Sequence, residues 1–181
     1  MLTAQRNEDG SYQLAGHPAI LRSLLTIPGV LRKIIEDPTS NSKAAARLFP
    51  PAYLDQAEEL EHRRLLEDDV QKRQLQKLSV FEKVIASSDA GMGAIEIPEK
   101  DFDAVLAVLT DLRLVLAIDI GIEDDDWEDH LDEDQFDDPR LQILQILGAV
   151  QHLLLEATGL VDFEIDPDDL KNNDNPEDEP T

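Results

Sequence analysis

Arg113 stands inside the most regular apolar stripe of the chain, formed by Phe102, Val105, Leu106, Leu109, Leu112, Leu116 and Ile120 at helical spacing. A guanidinium cannot shed its charge, so in that position it must reach a carboxylate, backbone carbonyls or water. Two chemistries fit. In the first, Arg113 ties helices together through carboxylates such as Asp68 or Asp69, and Arg113→Ala costs roughly 3–5 kcal/mol by leaving a buried charge unpaired. In the second, Arg113 grips an anion at the base of a pocket, as in a small-molecule or metal-binding enzyme.

The other chemistry-bearing patterns are weaker. Glu59-Leu60-Glu61-His62 is a single Glu-x-x-His, whereas carboxylate-bridged di-iron bundles need that spacing on two helices and a further Glu from two more. His152 and Glu156 could imitate a second copy, but they fall on the polar side of their helix. Residues 123–138 invite a calcium reading, yet a loop starting at Asp124 puts Asp129 where an EF-hand needs Gly and Gln135 where it needs Glu. Trp127, Leu131 and Phe136 punctuate the same stretch, with Trp127 and Leu131 sharing a face if it is helical. They either pin an acidic loop onto the core or form a partner contact, aromatic anchors within a steering field. No G-x-S-x-G, glycine-rich phosphate loop or H-E-x-x-H occurs. No catalytic residue, cofactor or metal site is therefore expected.

The elements that must position these residues follow from punctuation and periodicity. Pro18 opens a short apolar helix, Pro28-Gly29 interrupts it, Val30, Leu31, Ile34 and Ile35 continue on a second that stops before Pro38, and an Ala-rich helix over 42–49 ends at Pro50-Pro51. Asp55 and Glu58 have capping spacing before a long charged helix, about Gln56 to Ala86, whose stripe is irregular around Arg73. Pro98 starts the Arg113 helix and Gly121 ends it. Asp138-Pro139 opens a last helix with a wide apolar arc, the mark of an element packed on several neighbours. Tyr12 to Gly16 and Ala94 to Ile97 read as short strands that could pair. The expectation is a mainly α single-domain bundle of five to seven helices with a minimal two-stranded β element. Its boundaries are a flexible N-terminus at 1–11, a helical domain at 12–161 with an acidic loop at 123–138, and an acidic disordered tail at 162–181.

A length of 181 residues and a hydrophobic content of 41% suit one globular domain. With no cysteine, disulfides, thiolate nucleophiles and cysteine-ligated metals are excluded. The polar start and the absence of a long uncharged apolar run predict a cytoplasmic protein with no membrane partner. Of the net charge of −24, residues 123–138 carry −11 and residues 162–181 carry −8. Such a chain is repelled by phosphate backbones, so nucleic acid is not an expected partner.

Two segments carry a likeness. At Leu48-Phe49-Pro50-Pro51-Ala52-Tyr53 and at Leu109-Thr110-Asp111-Leu112-Arg113-Leu114-Val115-Leu116 the chain resembles an actinobacterial family, the "domain of unknown function twenty-seventeen". The order of elements is similar too: an L-F-P-x-A-Y element, a charged helix with paired arginines (Arg63 and Arg64), an L-R-L helix and a Leu-rich last helix. The resemblance spans about Tyr12 to Gly159 and brings no assigned activity. Family members often lie near the gene for a Clp protease adaptor, which implies a setting in bacterial proteolysis. Taken together, these readings predict a non-catalytic protein-interaction or regulatory protein, with another protein as partner.

Overall fold

The computed structural model describes residues 1–25, 27–87, 93–122 and 138–160, the side chains of residues 63, 67 and 68 excepted. Three strands, β1 (Thr3–Arg6), β2 (Tyr12–Ala15) and β3 (Ala94–Ile97), form an antiparallel sheet in the order β1-β2-β3. Six α-helices complete the described chain: α1 (Pro18–Ser23), α2 (Pro28–Glu36), α3 (Ser42–Leu48), α4 (Gln56–Ser87), α5 (Phe102–Ile120) and α6 (Pro139–Ala157). The protein is mainly α, and the small sheet has three strands where two were expected. The added strand comes from the expected flexible N-terminus: Thr3 pairs with Ala15 and Arg6 with Tyr12. Its side chains are mostly exposed, so no apolar alternation announced it.

The sheet is laid on the helices by one face. Tyr12 and Leu14 of β2 and Ile95 and Ile97 of β3 alternate into the core, and the Tyr12 ring stacks on Phe102 at a centroid distance of 4.0 Å. Gly93 sits at φ +92°, where a Cβ would lie 2.7 Å from the Gly16 carbonyl oxygen. The chains thus approach there only because no side chain intervenes.

Helix ends follow the expected chemistry. The Asp55 carboxylate accepts from the N–H groups of Ala57 and Glu58 at 2.9 and 3.0 Å, capping α4. The reach back to the preceding turn is made by Glu59, whose Oε2 accepts from the N–H groups of Ala52 and Tyr53 at 2.8 and 3.0 Å. Gly121, at φ +89°, closes α5, and the Ile122 N–H returns to the Ala117 carbonyl at 2.9 Å. The irregular stripe around Arg73 produces no break, since α4 runs through it continuously.

Helix α5 lies at the centre, against α3, α4 and α6. Its buried residues are Phe102, Val105, Val108, Leu109, Leu112, Val115 and Leu116. Val108 and Val115 are inside, while Leu106 and Ile120 are only half-buried. At about 100° per residue this moves the centre of the buried arc away from Arg113, which ends roughly 90° from it and is exposed. Helix α6 packs on α5 and on strands β1 and β2, as its wide apolar arc required. No described helix is long and apolar enough to cross a membrane.

Candidate functional site

Helix α4 spans 32 residues, but none of its described side chains before Leu78 is buried. Core attachment belongs to its C-terminal part, where Leu78, Phe81, Val84 and Ile85 are inside. The N-terminal part nevertheless carries Leu60, Leu65 and Leu66, with relative exposures of 69%, 61% and 39%. Tyr53 and Leu54 extend the exposed apolar surface into the preceding turn. At 100° per residue the three leucines lie about 100–140° apart around α4, and Leu66 is the one that lines the groove described next.

Between this part of α4 and the α2–α3 corner runs an open groove of about 480 Å³. Ile35, Ala45, Leu48 and Phe49 line one side, and Leu66 and Val70 line the other. Glu59 and His62 stand at one end. Local sequence fixes both walls. The Asn41 side chain caps α3 by accepting from the Ala44 N–H at 3.1 Å, and its amide donates to Asp119 at the end of α5 at 2.9 Å. Pro50 and Pro51 end that wall and turn the chain toward α4. Arg32 of α2 donates to both carboxylate oxygens of Glu82 at 2.6 and 3.3 Å, and Gln71 of α4 donates to the Ile35 carbonyl at 2.6 Å. These bonds hold α2 and α4 at a fixed separation while the groove stays open beside them.

The Glu-x-x-His pair belongs to this turn. Glu59 holds the Ala52 and Tyr53 amides, and the His62 ring meets the Tyr53 ring edge-on at 5.3 Å. Both side chains therefore serve to fasten the L-F-P-x-A-Y element onto α4. His152 and Glu156 form an exposed pair at 3.4 Å on α6, far in sequence from the first pair.

Arg113 is placed outside the groove, on the flank of α5 that faces α6. Its Nη1 donates to Gln151 Oε1 at 2.7 Å, and Gln151 Nε2 donates to Thr110 Oγ1 at 2.8 Å. The guanidinium lies over Gly148, where an added Cβ would be 3.7–3.8 Å from its atoms. Arg113 thus joins two helices, through an amide and not through a buried carboxylate. On the other flank of α5, partial burial pushes the Asp111 carboxyl up to about 6, opposed by the nearby Lys77 charge on α4.

Trp127, Leu131 and Phe136, with the rest of the 123–137 stretch, lie outside the described residues, as does the tail from 161 onward. The sequence reading does not foresee the groove, although Leu66 and Val70 of its α4 wall belong to the irregular apolar stripe of that helix.

With the geometry established, the comparison with known families is decisive on one point. Residues 1–158 match the profile described as Domain of unknown function (DUF2017). The chain belongs to that family. The match takes in β1 as well as the helical elements, so the whole described α/β arrangement, and not only the two motifs, is the DUF2017 unit. No curated protein and no solved structure matches the chain.

Proposed function

We propose that this DUF2017 protein is a non-catalytic binding module that engages another protein through the N-terminal part of α4 and the groove beside it. The observation that carries this reading is the six-turn stretch of α4 before Leu78, which has no buried described side chain yet presents Leu60, Leu65 and Leu66. A partner seated in the groove would remove Leu66 and the apolar walls beside it from water. Arg113 has an interhelical role in this reading, and nothing in its geometry favours the anion-binding enzyme. The acidic segment with Trp127, Leu131 and Phe136 supplies a second contact, supported by its aromatic anchors and its charge of −11. Regulated bacterial proteolysis is the setting, on the family resemblance alone.

Affinity capture from a native-type lysate tests the reading with three baits: wild type, Leu60→Gln/Leu66→Gln, and Trp127→Ala. Both leucines are exposed, so the double variant keeps its fold, as circular dichroism can verify. Loss of one defined partner from the double variant, with a Clp component among the captured proteins, is the expected result. Identical captures by all three folded baits would sink both contacts.

A further inference from the structure

We infer that the outer edge of β1, with the sheet-side flank of α6, pairs with a second copy of this chain across a two-fold axis. This surface is separate from the groove, and the inference does not depend on the groove. Among the described residues β1 has one strand partner, β2, and so ends the sheet. The Asn7 N–H donates to the Ser11 carbonyl at 2.8 Å, which makes Asn7 and Ser11 a hydrogen-bonded pair in the β1–β2 register. Such pairs alternate along an antiparallel ladder. Gln5 and Thr3 therefore bond to β2, while the N–H and C=O groups of Ala4 and Arg6 point away from it. The Gly16 N–H bond to the Gly93 carbonyl sets the same phase on the other side of β2. No described residue bonds to the outward groups, and an edge of this kind is a template for another strand.

The helix beneath is also incompletely covered on that side. Gly148 and Gln151 mark the side of α6 that meets Arg113 of α5. At 100° per residue Ile146 and Leu153 lie about 170° from them, on the flank toward the sheet that α6 also packs against. Both are only half-buried. A sheet continued past β1 would cover them.

Symmetry and charge select the occupant. A two-fold axis at Gln5, perpendicular to the sheet, sets Ala4 against Arg6 of the second copy and Arg6 against its Ala4. Each pair exchanges both N–H···O bonds. The strand thus satisfies its own copy, in an isologous contact. The same axis lays the two α6 helices antiparallel on one face of the joined sheet, where Ile146 and Leu153 meet their counterparts. This part of the chain is also the one that a like-charged copy can approach. The formally charged residues of β1, β2 and α6 are Arg6, Arg140 and Glu156, and both arginines are already paired, with Glu99 and Asp138. Residues 123–138 and 162–181 hold −11 and −8 of the net −24. That repulsion acts at long range and is screened by salt.

Sedimentation equilibrium of the full chain, 20.3 kDa as a monomer, tests the inference. A dimer is expected at about 100 µM, tighter in about 0.5 M than in about 0.05 M salt. Gln5 is exposed and lies on the axis, so Gln5→Glu and Gln5→Lys should each weaken the dimer at least about tenfold. Mixing those two variants should restore it, which a damaged fold would not do. Ala4→Pro removes an N–H that the chain itself does not use, so the monomer should stay folded while the dimer is lost. A monomer at every concentration and salt would overturn the inference and leave the edge to a strand of another protein. A dimer left intact by Ala4→Pro and Gln5→Glu, or abolished by Leu66→Gln, would place the contact elsewhere and overturn it too.

Discussion

Replacing Asp111 by Asn should stabilise this protein at neutral pH and leave it unchanged near pH 4. The carboxyl is pushed from its ordinary value of 3.8 up to about 6, first by burial, with the Lys77 charge working against the shift. A raised acid binds its proton more tightly in the folded state than in the unfolded one. Folding therefore loses stability as pH climbs from about 4 through about 6, and above that the full cost applies. At 1.36 kcal/mol for each pH unit the ceiling is about 3 kcal/mol. Asp111 keeps part of its surface in water, and screening reduces that to roughly 1–2 kcal/mol. Asn has the shape of the protonated acid and no charge to desolvate. In urea titrations at about pH 7.5 the variant should gain roughly 1–2 kcal/mol, or about 3–6 °C in Tm for a chain of this size. The gap should close between about pH 6 and pH 4. Lys77→Met should widen it, since the opposing charge is gone. Comparing proteins at each pH cancels the titration of the other carboxylates. An Asn variant less stable than wild type at pH 7.5, or a gap independent of pH, would refute the reasoning.

Arg113→Ala should lower stability by less than about 1 kcal/mol, because the side chain is exposed and its partner is the Gln151 amide; a urea midpoint shift equivalent to 3 kcal/mol or more would restore the buried-charge picture. Gly148→Ala should stabilise by about 0.5–1 kcal/mol, since it sits within α6 and an added Cβ meets only the guanidinium at 3.7–3.8 Å. Thermal melts decide it, and a loss of stability would mean that α5 and α6 cannot accommodate the methyl group. Gly93→Ala should cost at least about 2 kcal/mol, from the positive φ and the 2.7 Å approach to the Gly16 carbonyl. The same melts would show it as a lowered Tm.

Much of the architecture was legible because local chemistry encodes it. Pro18 and Pro139 each stand in the first turn of a helix, Asp55 caps α4, and Gly121 takes the left-handed conformation that ends α5; Pro28, which read as an interruption, begins α2. The candidate site was less legible. Leu60 and Leu66 have the type and spacing of core residues, and an apolar side chain does not carry the information that no neighbour covers it. Glu59 and His62 had the spacing of metal ligands and were used to fasten a turn, since both lie beside the Tyr53 corner.

By itself, the sequence determined where helices begin and end, that the protein is mainly helical, and where its negative charge accumulates. These depend on bonds and torsions within a few residues, and on a sum of formal charges. The tertiary structure decided which arc of each helix faces inward. On α5, packing by α3, α4 and α6 buried Val108 and Val115 and turned Arg113 outward, against the preference for the longer leucine side. On β1, pairing with β2 made a strand of four mostly exposed residues. On α4, the ends of α2 and α3 stopped short of covering Leu66 and left the groove open. Burial is set by the surfaces that meet, and those surfaces exist only once distant segments have packed.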